Sequence, residues 1–154
     1  MSIENVKEYF KKFKKDNEIL EFETSSATVE LAAKALSCQP ARICKTLSFK
    51  VNNECILICT AGDVKIDNKK FKQTFNCKAK MLTFDEVFEY TSHNVGGVCP
   101  FGIERKDVKT YCDISLNRFN TVYPACGSSN SAIELSPQDL FNYSNSCGWV
   151  DVTY

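Results

Sequence analysis

The chain has 154 residues, 44% of them hydrophobic and 25% charged. That is the composition of one globular domain and excludes both a disordered segment and a large multidomain enzyme. Its 19 basic and 19 acidic residues cancel, but residues 1–80 carry 15 basic and 10 acidic side chains, a net of +5, while residues 81–154 carry 4 and 9, a net of −5.

Residues 3–15 put Ile3, Val6, Phe10 and Phe13 on one helical face with lysines opposite. A short strand is expected at 21–24. Ser26 is a candidate N-cap for a helix through Leu36, with Leu31, Ala32 and Ala35 turned inward and Pro40 just beyond its end. Two strands at 43–51 and 54–60 flank Asn52-Asn53, a pair that tolerates positive φ and suits a tight hairpin. The second, containing CILIC, is apolar on both faces and is expected at the sheet centre. A helix follows at 67–75 and a strand at 78–82. Thr83 with Glu86 forms a capping box for a helix ending near Thr91. After the turn-rich SHNVGGVCPFG, strands are expected at 109–113, 121–125 and 132–135. Ser136-Pro137 starts a helix to about Ser144, and 149–153 is a final strand. Strands interspersed with short helices predict a single compact mixed α/β domain, a barrel-like mixed sheet surrounded by helices.

The N-terminus lacks the apolar core of a secretory signal, and no apolar run spans a bilayer. Nine cysteines form no CxxC pair and cannot all pair, so reduced thiols in a cytoplasm are expected, most of them small core residues. Cys55 and Cys59 lie about 13 Å apart along an extended strand, too far to share one tetrahedral zinc. His93 is the only histidine, which rules out a His-rich metal site.

Three features could carry chemistry. In ICKTLSFKV, Lys45 shares its side of the strand with Ile43, Leu47, Phe49 and Val51, while Cys44, Thr46, Ser48 and Lys50 form the polar side. A lysine on an apolar face either reaches solvent at the strand end or meets a partner, and the second case makes a pocket lysine for an anionic or carbonyl ligand. Gly96, Gly97, Val98, Cys99 and Pro100 form a loop whose glycines admit a ligand close to the backbone; a plain tight turn has the same composition. Gly127, Ser128, Ser129, Asn130 and Ser131 form a small polar loop suited to ribose or phosphate, or to an ordinary hairpin connection. Cys99 and His93 share a loop and could pair, although nearness in sequence adds little, and no GxSxG or HExxH motif occurs. The run from Lys65 to Lys80 holds six lysines against Asp67 alone, either a solvated helix face or a local positive field.

Taken together, ARICKTLSF, LICTAGDVKID, the GxxxP loop in VGGVCPFG and GSSNSAIEL, in this order, resemble the YbaK/EbsC-like family, the prolyl-tRNA synthetase-associated or INS-like editing domains. The resemblance runs from about Phe22 to Val152. It implies that residues 1–154 are one editing domain that hydrolyses the ester of mischarged tRNA, usually tRNA(Pro) carrying Cys or Ala, after release from the synthetase. It implies Lys45 as the essential lysine and residues 96–100 as the loop that holds the aminoacyl group, with Thr46, His93, Gly127, Ser128 and Ser129 also near the substrate. Water, or the thiol of a cysteinyl substrate, is then the nucleophile. Under this reading Lys65, Lys69, Lys70 and Lys72 face acceptor-end phosphates. The implied partners are mischarged tRNA and prolyl-tRNA synthetase, with no membrane, metal or organic cofactor. The cysteine-specific branch has an acidic residue just before the IEL strand, where this chain has Ala132. A non-catalytic tRNA- or nucleotide-binding module of the same fold is the alternative.

Overall fold

A computed structural model describes residues 2–154. In chain order they form α1 (Ser2–Lys11), β1 (Leu20–Glu21), α2 (Val29–Leu36), β2 (Ile43–Val51), β3 (Glu54–Ala61), α3 (Asn68–Phe75) and α4 (Phe84–Thr91). These are followed by β4 (Val108–Asp113), β5 (Tyr123–Pro124), β6 (Ser131–Ala132), α5 (Pro137–Tyr143) and β7 (Trp149–Val150). Five strands make a mixed sheet in the order β5-β2-β3-β4-β7; β1 and β6 pair apart from it. Only β2 and β3 are antiparallel within the larger sheet; β5 on β2, β4 on β3 and β7 on β4 are parallel. The expected mixed α/β domain is therefore present, with the sheet open rather than closed into a barrel.

The hairpin forms as expected. Asn52 and Asn53 take φ of 52° and 64°, the two positive values a type I′ turn requires. β3 is central, and Cys55, Leu57, Ile58, Cys59 and Ala61 are fully buried. On one face of the sheet Phe71 of α3 packs on Phe49 at 4.8 Å together with Ile56 and Ile58. On the other, Leu82 and Val87 cover Cys55 and Leu57. The supposedly polar side of β2 is thus interior as well: Cys44 is 3% and Ser48 5% exposed. The capping box of Thr83 and Glu86 holds the start of α4, and Ser136 caps α5 by accepting the Asp139 N–H at 3.1 Å.

Several boundaries differ from expectation. α1 stops at Lys11, and a turn with Lys14 at φ 58° leaves Phe13 outside the helix, its ring against Tyr9 and Tyr143. Thr28, not Ser26, caps α2 by accepting the Leu31 N–H at 3.2 Å. The buried face of α2 is Ala32 and Ala33, small enough to lie close to Ile43, and Leu31 is exposed. The strand expected at 78–82 is reduced to a bridge from Met81 to Phe49, with Lys50 N–H to the Lys80 carbonyl and Leu82 N–H to the Ser48 carbonyl. The final strand stops at Val150, because the buried Asp113 carboxylate takes the Val152 N–H at 2.9 Å and the Thr153 hydroxyl at 2.8 Å. The last residues then pair with Lys65 and Ile66 instead.

Candidate active-site cleft

β2 lies next to β5 only at Ile43 and Cys44, and next to residues 80–82 only at its far end. The gap between these two contacts opens a cleft of about 260 Å³ along the exposed edge of β2. Lys45, Thr46 and Ser48 line it from the strand. Ala27 and Thr28 from the start of α2, Gly96 and Val98 from the glycine loop, and Ser131 and Ala132 from β6 complete its walls.

Three loops distant in sequence are tied together at its rim. The Ser26 N–H and hydroxyl donate to the Ser129 carbonyl at 2.6 and 3.3 Å, and the Phe22 N–H donates to the Asn130 carbonyl at 2.8 Å. Gly96 adopts φ +99°, a conformation that side chains rarely take. A Cβ on Gly97 would lie 2.7–2.8 Å from the main chain of Ser128. The two adjacent glycines thus answer separate demands, one for backbone conformation and one for close approach.

Lys45 is half-buried, and its ammonium donates to the Val64 carbonyl. Burial pushes its pKa below the ordinary lysine range; nearby Asp63 opposes this and Lys65 adds to it. Asp63 is itself held by Arg118, at 2.5 Å, and its carboxyl lies below the usual range for that reason. The lysine therefore sits at the border of the apolar face, fixed by a main-chain acceptor rather than by a carboxylate.

Lys45, Thr46, Gly96 and Val98 are brought together at the cleft. The other expected site residues are not at its surface. His93 is 1% exposed and Cys99 is fully buried; with Pro100 they form the layer behind the loop. The His93 Nε2 lies 3.0 Å from the Phe101 carbonyl, so that nitrogen carries the proton, and 3.5 Å from the Cys99 sulfur. An Nε2 that already holds a proton cannot accept one from the thiol. Burial pushes the thiol pKa up to about 12 and the imidazole below its usual range. This pair is a packed interior contact, which corrects the expectation of direct substrate contact by His93, Cys99 and Pro100. Gly97, Gly127, Ser128 and Ser129 line a second depression, which shares Val95 with the cleft. Of the lysines, Lys65, Lys69 and Lys72 are exposed, whereas Lys70 is bound to Asp151 at 3.0 Å and to the Thr153 carbonyl at 2.9 Å.

Ser131, the last residue of the small polar loop, is thus at the cleft, whereas sequence reasoning missed Ser48, Tyr123 and the exposed Met81 and Phe84, all of which line it. Ser48 was detectable, since it alternates with Thr46 on the polar side of β2. Tyr123 carries no local signal, because only strand pairing brings it to β2. Ala132, the position of the absent acidic residue, is 3% exposed and forms part of the wall.

Comparison with known proteins bears on the fold and the family. The family model for the aminoacyl-tRNA editing domain matches residues 23–143. Uncharacterized protein YwhH of Bacillus subtilis (strain 168) is 53% identical over 153 residues, 99% of this chain and 97% of that protein. A proline–tRNA ligase of Halalkalibacterium halodurans is 29% identical over 105 residues, which are 68% of this chain and 18% of the ligase. A solved structure proposed to be a trans-editing enzyme for prolyl tRNA synthetase shares the fold, with a TM-score of 0.89 at 23% identity over 99% of this chain and 97% of that one. This chain belongs to the aminoacyl-tRNA editing domain family.

Proposed function

We propose that residues 1–154 form an aminoacyl-tRNA deacylase domain that clears tRNA(Pro) carrying a small wrong amino acid, alanine or cysteine. Water adds to the acyl carbon and the acyl–oxygen bond breaks. The ribose oxygen takes a proton, which releases the free amino acid and the uncharged tRNA end. The observation that carries the reading is the meeting of Lys45 and the residue 96–98 loop at one small cleft, in a chain of the editing family. An ammonium held at a cleft edge can fix the ribose and terminal phosphate of the substrate, and positioning of this kind is worth several kcal/mol. The apolar walls and the limited volume favour a small side chain, and Ala132 offers no carboxylate to a polar one. Discrimination by such a pocket is only about 1–3 kcal/mol per methylene, so tRNA contacts must add to it. Exposed Lys65, Lys69 and Lys72 are the candidates for acceptor-end phosphates, and a prolyl-tRNA synthetase is the candidate source of the substrate.

A deacylation panel tests this. tRNA(Pro) charged with Pro, Ala, Cys or Ser is offered to wild type and to Lys45→Ala. The expected result is hydrolysis of Ala- or Cys-tRNA(Pro), with a loss of about 10²-fold or more in Lys45→Ala. The variant should remain folded, since Lys45 is only half-buried, so thermal melting beside the rate separates lost chemistry from lost structure. Hydrolysis of none of the four by wild type would favour a binding module instead, and a near-normal rate in Lys45→Ala would remove that residue from the mechanism.

A further inference from the structure

The strand pairing leaves main-chain groups of β2 open at the cleft. Val51 and Glu54 close a two-residue hairpin, so Phe49, Leu47 and Lys45, at alternate positions back along the strand, turn their N–H and C=O toward β3. The even-numbered residues turn theirs to the opposite edge. The bonds from Lys50 N–H to the Lys80 carbonyl at 2.9 Å and from Leu82 N–H to the Ser48 carbonyl at 3.2 Å agree with this parity. On that edge β5 covers Ile43 and Cys44, and residues 80–82 cover Ser48 to Lys50. Between them, the N–H and C=O of Thr46 and the N–H of Ser48 have no protein partner among the described residues. An uncovered sheet edge is ordinarily blunted by charge, proline or a covering loop. Here both flanks are covered, and a gap one residue wide remains, lined by Thr46 and Ser48.

We propose that Thr46 binds the aminoacyl group of the substrate as a one-residue strand, an inference that rests on the deacylase reading above. The α-ammonium donates to the Thr46 carbonyl, and the ester carbonyl oxygen accepts the Thr46 N–H. In a hydrogen-bonded antiparallel pair, two opposed residues exchange both main-chain bonds. An α-aminoacyl ester presents the same donor and acceptor on either side of its α-carbon. The bond from the ammonium is charge-assisted, which selects a free α-amino group. The Thr46 N–H faces the oxygen on which negative charge grows as water attacks, so the same contact serves binding and the transition state. Directly paired residues project their side chains to the same face. The substrate side chain then falls on the Thr46 side of the sheet, where Val98, packed with Cys55 and Leu57, limits its size. Recognition of the α-amino acid by main chain and of its size by the walls are separate functions of one cleft.

Amide NMR of the full chain, titrated with 3′-deoxy-3′-(L-alanylamino)adenosine, tests this, because the amide linkage of that analogue resists hydrolysis. The Thr46 and Ser48 amide signals should shift, hydrogen exchange at Thr46 should slow, and the N-acetylated analogue should bind at least tenfold more weakly. Shifts at Gly96 and Val98 with Thr46 and Ser48 unmoved would overturn this inference and leave the deacylase reading standing. No shift anywhere at millimolar analogue would overturn both. Thr46→Pro deletes the outward N–H while sparing the ladder to β3, a position where an edge strand accepts proline. It should lower kcat by roughly 10²-fold, the usual loss for one donor to a developing oxyanion. A folded Thr46→Pro with the wild-type rate would overturn the role of the N–H, and if that variant does not fold, the titration decides.

Discussion

Gly97→Ala is the most direct probe of how the cleft is held together. A Cβ built at this position meets the N, Cα and C atoms of Ser128 at 2.7–2.8 Å, where ordinary contact begins at 3.4 Å. The obstacle is backbone, so no side chain can swing aside, and the residue 96–98 loop must lift from the Ser128 loop by a large part of an ångström. Overpacking of this size costs about 1–3 kcal/mol. For a domain of this length each kcal/mol lowers Tm by roughly 2–4 °C. The loop that moves also carries Gly96 and Val98 into the cleft, so kcat/KM should fall by about 10²-fold, more than the loss of stability explains. Thermal melting and single-turnover deacylation measure the two effects on one sample. Gly148→Ala is the control, since a Cβ there has nothing within 4 Å, and its Tm should change little. If Gly97→Ala melts and reacts as wild type does, the claim that loop apposition builds the cleft is wrong.

Two further outcomes follow from other parts of the molecule. His93 is buried with its Nδ1 unpartnered, and burial lowers its pKa in the fold below the usual 6.5. The unfolded chain therefore binds the extra proton first as pH falls, and stability should drop below about pH 6.5, with a slope of at most about 1.4 kcal/mol per pH unit from this one group. As the only histidine it is easily assigned: His93→Gln should flatten Tm between pH 7 and 5, and an unchanged slope would show that other groups govern it. Charge reversal at Lys69 and Lys72 should raise KM for tRNA and lower the salt dependence of subsaturating activity by about one to two log units per log unit of salt. A slope equal to that of wild type would remove α3 from the tRNA-facing surface.

Some local signals read correctly, while the cap of α2 fell at Thr28 rather than Ser26 and α1 ended four residues early. Asn52-Asn53 set a turn that needs two positive φ values, and the capping box at Thr83 and Glu86 set the start of α4. The unbroken apolar run at residues 55–59 placed β3 at the centre of the sheet. The alternation around Lys45 singled out the lysine of β2 that lines the cleft. Other failures occurred where a distant partner decided the outcome. Residues 78–82 have strand composition but meet β2 at only one bridge, and the strand expected at 149–153 is cut short by the carboxylate of Asp113. His93 and Cys99 are near one another in sequence, but burial and the Phe101 carbonyl commit them to the interior.

The sequence alone determined the element types, the central strand, Lys45 as the residue of interest and the likeness to editing domains, because propensity, periodicity and motif order are properties of the chain itself. The tertiary structure alone decided where the cleft opens. Its opening depends on how far β5 and residues 80–82 extend along β2, and on the contact of Gly97 with Ser128 thirty-one positions away. Main-chain groups carry no residue identity, so the unpaired edge at Thr46 becomes visible only when the hydrogen bonds of the whole sheet have been assigned.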